Sequence, residues 1–120
     1  MKKINLAITG CMGRMGQQII KTIKSNKNFK IIALTESKEV KKKINGIEVS
    51  LNNERAFKNA HLIIDFTLPK CTFQVLKIAS KLKKRVVIGT TGFTKKEENL
   101  IKKFSKKNPY FESWKYEFGH

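Results

Sequence analysis

Three glycines separate the first apolar segment of the chain from the first amphipathic one, and this junction narrowly constrains the fold. They are Gly10, Gly13 and Gly16, spaced G-x-x-G-x-x-G. Residues 4–9 before them predict a short buried strand, and residues 14–25 carry apolar side chains at helical spacing. A strand that passes through glycines directly into a helix predicts the first strand–helix unit of a parallel sheet.

Strands and helices alternate along most of the remaining chain. Continuous apolar runs predict buried strands over residues 29–36, 61–67 and 85–89. Helical spacing predicts helices over 71–84 and 94–107, the second beginning with a capping box of Thr94 and Glu97. This alternation is typical of parallel strands covered by helices on both faces. We therefore predict an α/β fold, a Rossmann-like doubly wound parallel sheet.

The segments between these elements are less regular. The polar residues 37–49 contain Asn45-Gly46, a tight-turn dipeptide, and predict a mobile loop with room for a small hairpin. Residues 52–60 predict a short helix capped by Asn52 or Asn53. Pro69 interrupts the chain after the strand at 61–67, and an extended run follows Pro109.

The glycine junction has the properties of a dinucleotide site. Gly10 permits the sharp turn, Gly13 the close approach of a pyrophosphate, and Gly16 the packing of helix against strand. The first helical turn offers unpaired N–H groups to a phosphate, and Arg14 adds a donor beside it. Glu36 lies 20 residues after Gly16 at a strand end, where a carboxylate accepts from the adenosine ribose hydroxyls. The alternative is a glycine turn without a ligand and a solvated Glu36.

The choice between NAD and NADP depends on the charges around that acid. A carboxylate at Glu36 disfavours a ribose 2′-phosphate, which favours NAD. Lys38 and the lysines at 41–43 would offset this repulsion by pairing with the phosphate. We expect NAD, with NADP tolerated.

Two further loops follow predicted parallel strands, where ligands bind in open α/β sheets. One is Asp-Phe-Thr, ending at Thr67, which we expect to contact the cofactor, and the other is the GTTGF segment. Gly89, Thr90 and Thr91 offer backbone and hydroxyl groups to the nicotinamide ribose or ring, unless the two threonines only cap the loop. We expect Asp65 to be a buried structural acid that bonds loop N–H groups rather than a catalytic one.

The chain is strongly basic, with 26 lysines and arginines against 9 acidic residues and a net charge of +17. The lysines recur on every predicted helix and loop, and the chain is rich in Lys, Ile and Asn, which share A/T-rich codons. An arginine-rich reading segment and an aromatic ladder are both missing from the sequence. We therefore expect no specific nucleic-acid partner, only weak, salt-sensitive binding to polyanions.

Membrane and metal sites are also not expected. The sequence has no run of about 18 apolar residues, and its first apolar stretch is too short for a signal peptide. The two cysteines, Cys11 and Cys71, are isolated and have no zinc-ligand spacing. These features predict a reduced, cytoplasmic protein.

Three motifs, in this order and spacing, resemble the N-terminal half of the 4-hydroxy-tetrahydrodipicolinate reductases, formerly called dihydrodipicolinate reductases. They are GCMGRMG, DFTLP and VVIGTTGF. The resemblance covers residues 1–113 and implies an NAD(P)-binding Rossmann-like domain. It further implies an NAD(P)H-dependent enzyme of the diaminopimelate route to lysine, reducing the small molecule 4-hydroxy-tetrahydrodipicolinate to tetrahydrodipicolinate.

The resemblance also implies which residues hold the cofactor. By position they are Gly10, Cys11, Met12, Gly13, Arg14, Met15, Glu36, Gly89, Thr90 and Thr91. Family members that favour NADP tend to have arginine after the acid, whereas Ser37 stands there in this chain. This difference also favours NAD.

Family enzymes are longer, and their second domain carries the substrate-binding basic residues, a His-rich acid/base segment and the tetramer contacts. The resemblance implies that this chain lacks the substrate and tetramerisation domain, so we expect it to bind cofactor and turn over little. Two alternatives remain open. One is a free-standing NAD-binding module completed by another chain, and the other is a basic nucleic-acid-binding α/β protein.

Residues 114–120, WKYEFGH, do not resemble the family. Back-translated and read one base later, their codons give Gly-Asn-Met-Ser-Leu-Gly, which is similar to the family's N-[FM]-S-x-G-[VI] segment. We therefore expect a truncation or a one-base frameshift near residue 113. Reading the DNA beyond that codon tests this expectation.

Overall fold

The computed structural model describes residues 3–90, 92–107 and 111–113. The strands are β1 (Ile4–Thr9), β2 (Phe29–Glu36), β3 (Lys43–Ile44), β4 (Ile47–Leu51), β5 (Leu62–Asp65), β6 (Arg85–Ile88) and β7 (Phe111–Ser113). The helices are α1 (Arg14–Lys24), α2 (Glu54–Phe57), α3 (Pro69–Leu82) and α4 (Lys95–Lys107). Thr91, Pro109 and the segment 114–120 lie outside the described residues.

These strands form one sheet in the order β3-β4-β2-β1-β5-β6-β7. Neighbouring strands are parallel except β3 and β4, which form an antiparallel hairpin at one edge. The strand β1 is central, with β2 on one side and β5 on the other. The predicted Rossmann-like α/β fold is therefore confirmed, with the hairpin as an antiparallel addition.

The register of the sheet aligns the ends of its central strands. Thr9, the last residue of β1, pairs with Thr35 of β2 and with Asp65 of β5. Asp65 in turn pairs with Ile88, the last residue of β6. Because these strands run parallel, their carboxyl ends and the loops that follow them meet along one margin of the sheet, here called the carboxyl edge.

The core lies on both faces of the sheet, and alternate residues of the central strands divide between the faces. Ala7 packs in a cluster with residues of α2, α3 and α4, including Phe57, Leu76 and Ile101. Ile8, the next residue along β1, packs on the other face with residues of α1 and the β3–β4 hairpin. The continuous apolar character of β1 follows from this burial on both sides.

Several helix boundaries follow from capping chemistry in the sequence. Before α4, the Glu97 N–H donates to the Thr94 hydroxyl at 3.1 Å and the Thr94 N–H to the Glu97 carboxylate at 2.8 Å. Asn53 caps α2 by accepting from the Ala56 N–H at 2.8 Å. The capping box and the Asn53 cap are thus confirmed. The helix expected from residue 71 begins two residues earlier, at Pro69, because the first helical position needs no N–H donor.

The segment 37–49 contains more regular structure than the sequence predicted. Asn45 and Gly46, with φ of 52° and 81°, form the tight turn between β3 and β4 and confirm the expected hairpin. The strand β4 also pairs in parallel with β2, from Val49 opposite Leu34 to Leu51 opposite Glu36. This pairing adds the hairpin to the main sheet beside the end of β2.

Candidate functional site

The glycine turn between β1 and α1 is held by close backbone packing. Gly10 has a φ of +72°, and a Cβ atom there would collide with the carbonyl group of Phe66. A Cβ atom at Gly16 would collide with the carbonyl oxygen of Gly10. The Gly10 N–H donates to the Thr35 carbonyl at 3.0 Å, and the Gly13 N–H to the Gly10 carbonyl at 3.0 Å. Glycine is therefore required at positions 10 and 16 by the protein itself.

The remaining glycine of the turn, Gly13, has a different environment. Gly13 is the N-cap residue of α1 and is exposed, as are Arg14 and Met15 in the first helical turn. A Cβ atom built at Gly13 would lie 3.3 Å from the Gly10 carbonyl oxygen, and no other described atom beyond the adjacent residues lies within 4 Å of it. Because Gly13 has no side chain, no side-chain hydrogen bond caps the N-terminus of α1. The first turn of α1 also contains no acidic residue. The positive end of α1 is thus open to an anion.

Glu36, at the carboxyl end of β2, lies against this turn. Its Oε2 atom accepts a hydrogen bond from the Met12 N–H at 2.7 Å, and the side chain is half-buried. The two residues are 24 positions apart in the chain, so the sheet and not local sequence brings them together. The structure therefore unites the acid and the glycine turn that the sequence assigned to one site.

Cys11 lies beneath the turn and is buried in the core cluster on the α1 face. Burial raises the pKa of its thiol to about 11, and the nearby negative charge of Glu36 adds to this rise. The side chain is consequently a neutral core group at ordinary pH. If Cys11 contacts a cofactor, as the sequence predicted, the contact is made by its backbone and not by its side chain.

On the other side of β1, the buried carboxylate of Asp65 is surrounded by hydroxyl groups. It accepts hydrogen bonds from the side chains of Thr9, Thr67, Thr72 and Thr90. We call these five residues the Asp65 cluster. Asp65 was expected to be a buried structural acid that bonds loop N–H groups. It is buried, with none of its surface exposed, but these partners are hydroxyls instead.

Of the three threonines expected to meet a cofactor, Thr67 and Thr90 belong to this cluster. Thr90 is only 3% exposed, and its hydroxyl accepts from the Thr67 N–H at 2.8 Å while donating to Asp65. Any contact of Thr90 with a ligand therefore falls to its backbone. Gly89 is required because a Cβ atom there would collide with the ring of Phe66. Thr91 lies in the part of the chain that the structure does not describe.

Phe66, Thr9 and Thr72 are site residues that the sequence reasoning missed. The Phe66 carbonyl and ring exclude side chains at Gly10 and Gly89, so one residue shapes both loops. A signal for Thr9 was present, because it is a polar residue that ends an apolar strand. Thr72 lies inside a helix, where its sequence neighbours give no such signal.

Membrane and metal sites are also not seen in the described part of the chain. Within residues 3–90, 92–107 and 111–113, every helix is too short or too polar to cross a bilayer. The same residues contain no group of three or more His, Cys, Asp or Glu side chains that could hold a metal ion.

Known proteins resemble this chain over nearly its whole length. It matches the family model described as "Dihydrodipicolinate reductase, N-terminus" over residues 4–115. It is 64% identical over 119 residues to the 4-hydroxy-tetrahydrodipicolinate reductase of Pelagibacter ubique (strain HTCC1062), which covers 99% of this chain and 46% of that protein. The enzyme of the same name from Buchnera aphidicola subsp. Acyrthosiphon pisum (strain 5A) is 39% identical over 117 residues, covering 88% of this chain and 44% of the relative.

A solved structure supports the same grouping. The dipicolinate-bound dihydrodipicolinate reductase from Paenisporosarcina sp. TG-14 superposes with a TM-score of 0.69 at 26% identity, over 88% of this chain and 44% of that one. The chain thus spans less than half the length of these relatives. The Pelagibacter match covers 99% of the chain and so extends into residues 114–120.

Proposed function

Because this chain belongs to the dihydrodipicolinate reductase family through its N-terminal domain, we propose that it binds a nicotinamide dinucleotide across the carboxyl edge of its sheet. The pyrophosphate lies over the glycine turn at the start of α1, and Glu36 accepts from the adenosine ribose hydroxyls. The observation that carries this proposal is the 2.7 Å hydrogen bond from the Met12 N–H to the Glu36 carboxylate. It brings the ribose-binding acid and the phosphate-binding turn together in one site.

The residues of the turn fit a pyrophosphate. Gly13 is exposed and has no side chain, so phosphate oxygens can approach the backbone there. Arg14 is exposed beside the turn and can place its guanidinium on the same phosphates. The remaining predicted contacts in this segment, from Cys11, Met12 and Met15, are assigned to backbone groups around the turn.

When bound in its reduced form, the nicotinamide supplies the hydride, and the protein holds and orients it. The adenosine half is held on the β2 side of β1, so the nicotinamide half extends toward β5 and β6. Thr67, Gly89 and Thr90 follow those two strands and present backbone groups to it. We assign Thr91 to the same surface on sequence grounds.

The same site favours NAD over NADP. The carboxylate of Glu36 repels a ribose 2′-phosphate, and Ser37 offers no positive charge to offset it. Lys38 and the lysines at 41–43 are exposed on the loop that leaves β2 and at the start of β3. We propose that they offset part of this repulsion by pairing with the 2′-phosphate. We therefore propose that NADH binds more tightly and that NADPH is tolerated.

The reaction that we propose for the whole protein is the reduction of 4-hydroxy-tetrahydrodipicolinate to tetrahydrodipicolinate, in the diaminopimelate route to lysine. Its support is the name of the relatives, of which this chain spans less than half. We assign the substrate-binding and acid/base groups and the contacts of a homotetramer to the other half of such proteins. The 120 residues alone then bind cofactor with little or no turnover. We propose a cytoplasmic location, which the two free cysteines favour.

Calorimetric titration with NADH and NADPH tests this function. The folded chain is expected to take up NADH at one saturable site. In Glu36→Gln the ribose loses a charged acceptor, which is worth about 1.5 kcal/mol or more, so the affinity for NADH falls about tenfold. The affinity for NADPH falls less, because the variant also loses the repulsion of the 2′-phosphate.

Glu39→Gln is the matched control, since Glu39 is an exposed acid three residues further along the same loop. It removes the same charge and leaves the affinity for NADH within about twofold of the unchanged chain, because exposed charges have small effects. A well-folded chain that takes up neither dinucleotide would refute the proposed function. Equal losses in Glu36→Gln and Glu39→Gln would refute the role of Glu36.

A further inference from the structure

Asp65 occupies a position where three parallel strands end together. It is the last residue of β5, and it pairs in register with the last residues of β1 and β6, Thr9 and Ile88. Its side chain has no exposed surface. A buried carboxylate is costly unless hydrogen bonds satisfy it, so its partners are integral to the fold of this edge.

The four hydroxyls of the Asp65 cluster divide evenly between the two carboxylate oxygens. Thr9 and Thr67 donate to Oδ1 at 2.5 and 2.8 Å. Thr72 and Thr90 donate to Oδ2 at 2.5 and 3.0 Å. The donors come from four separate segments: the end of β1, the loop after β5, the first turn of α3 and the loop after β6. One side chain therefore connects every segment at this part of the carboxyl edge.

The chemistry of the cluster fixes the direction of each hydrogen bond. A hydroxyl has a single proton, and a carboxylate has four lone-pair sites and no proton of its own. Backbone carbonyls lie 3.3–3.4 Å from three of these hydroxyls, but the carboxylate oxygens are closer. When all four hydroxyls donate to the carboxylate, they use every proton that these threonines have. Once the Thr90 hydroxyl has donated its proton to Asp65, any further hydrogen bond must be one that it accepts. It accepts this bond from the Thr67 N–H at 2.8 Å. Asp65 in this way sets the orientation of Thr90, and Thr90 in turn holds the backbone of Thr67.

We propose that Asp65 is a positioning residue for the nicotinamide end of the bound dinucleotide, an inference that rests on the cofactor site proposed above. It touches no cofactor itself. Through Thr67 and Thr90 it holds the loops after β5 and β6, on the side of β1 opposite the Glu36 site. The adenosine side depends on Glu36 and backbone contacts around the glycine turn instead. The cluster should consequently affect the two halves of the ligand unequally.

Asp65→Asn tests this inference by titration with two ligands, NADH and ADP, in the full chain. ADP contains the adenosine and the diphosphate but no nicotinamide. The amide of Asn is a donor, so it confronts two hydroxyls that also need an acceptor and disturbs the loops that they hold. We expect the affinity for NADH to fall about tenfold, because a charged hydrogen-bond network is lost. The affinity for ADP should change less than about twofold.

A second pair of variants keeps the test decisive if Asp65→Asn fails to fold. Thr72 lies in α3 and is not itself a proposed ligand contact; its hydroxyl donates to Asp65 and also lies 3.3 Å from the Thr67 hydroxyl, so it acts through the Asp65 cluster. Thr72→Val is expected to weaken NADH about threefold with ADP unchanged, and Thr72→Ser, which restores the hydroxyl, is expected to recover NADH binding. Circular dichroism of each variant establishes that it is folded.

The outcomes separate this inference from the function on which it rests. If the unchanged chain binds NADH but folded variants lose NADH and ADP affinity in equal proportion, or lose neither, Asp65 has only a structural role and the inference is wrong. A failure of Thr72→Ser to recover binding would contradict it equally. If the unchanged, folded chain binds no NADH at all, the proposed function fails first, and this inference fails with it.

Discussion

The carboxyl edge has two halves, one on each side of the central strand β1, and they are built by different means. On the β2 side, the glycine turn is held by backbone hydrogen bonds and by contacts too close for a Cβ atom, and Glu36 reaches it from β2. On the β5 side, buried side chains hold the loops through the Asp65 cluster. The first half presents an open helix terminus, and the second presents loops whose hydroxyls are turned inward.

This difference decides what each half can offer a ligand. The N–H groups of residues 10–13 bond within the protein, so on the β2 side the exposed first turn of α1 offers the N–H groups for the phosphates that we assign to it. On the β5 side the hydroxyls of Thr67 and Thr90 bond internally, so these two residues offer mainly backbone groups. Substitutions should therefore act through steric collision on the first side and through lost hydrogen bonds on the second.

The largest expected effect is that of Gly10→Ala. The new Cβ atom collides with the Phe66 carbonyl at a residue whose φ is +72°. Strain and overpacking together should lower the free energy of unfolding by about 4 kcal/mol or more. Gly46→Ala is the matched control: its φ is +81°, but nothing lies within 4 Å of the added atom. It should cost about 1 kcal/mol in urea denaturation, and equal losses in the two variants would contradict a steric role for Gly10.

Thr9→Val should have the next largest effect, because it deprives the buried Asp65 carboxylate of one donor. We expect a loss of about 2 kcal/mol in the free energy of unfolding, typical of a hydrogen bond to a charged group. Thr22→Val is the control, since the exposed Thr22 hydroxyl bonds only the Gln18 carbonyl of its own helix among the bonds found for it. It should stay within about 0.5 kcal/mol of the unchanged chain. If Thr9→Val is equally mild, the cluster does not hold the β5 half together.

Cys11 gives a smaller effect that depends on pH. Its pKa is raised from 9.0 to about 11 in the folded chain, so below pH 9.0 both states keep the proton and no stability is lost. Above that, the unfolded chain ionises first, and stability falls as pH rises toward the folded pKa. Urea denaturation should show a loss of about 1 kcal/mol between about pH 8 and pH 10. Cys11→Ala should lack this component of the decline, and parallel declines in both chains would show that the thiol is not shielded.

The sequence predicted well those elements whose boundaries have a local cause. The strands β1 and β2 have the predicted bounds because their apolar runs end at a glycine turn and at a charged residue. The capping box of α4 was equally visible, since its two bonds join residues three positions apart. The parallel pairing of β4 with β2 was missed, because the residues of β4 are exposed or half-buried and form no apolar run. Its place in the sheet depends on β2, which local sequence does not show.

The site was predictable on the glycine side and much less so on the other. The spacing of the glycines and the position of Glu36 after β2 pointed to one location, and the structure places the Glu36 carboxylate 2.7 Å from the Met12 N–H in the glycine turn. The Asp65 cluster joins Asp65 to residues 56, 25 and 7 positions away in the chain. Such contacts exist only once the sheet has formed. A polar residue at the end of each central strand, such as Thr9 or Asp65, was the available signal.

Amide chemical-shift mapping by NMR, with ADP and then NADH, tests most directly whether a dinucleotide spans both halves of the edge. We predict a dinucleotide that spans both halves, so ADP should shift the amides of Met12, Gly13 and Arg14, around the glycine turn. NADH should shift the same amides and also those of Thr67 and Gly89 on the β5 side. Shifts that appear only away from the carboxyl edge, or an identical set with both ligands, would contradict it.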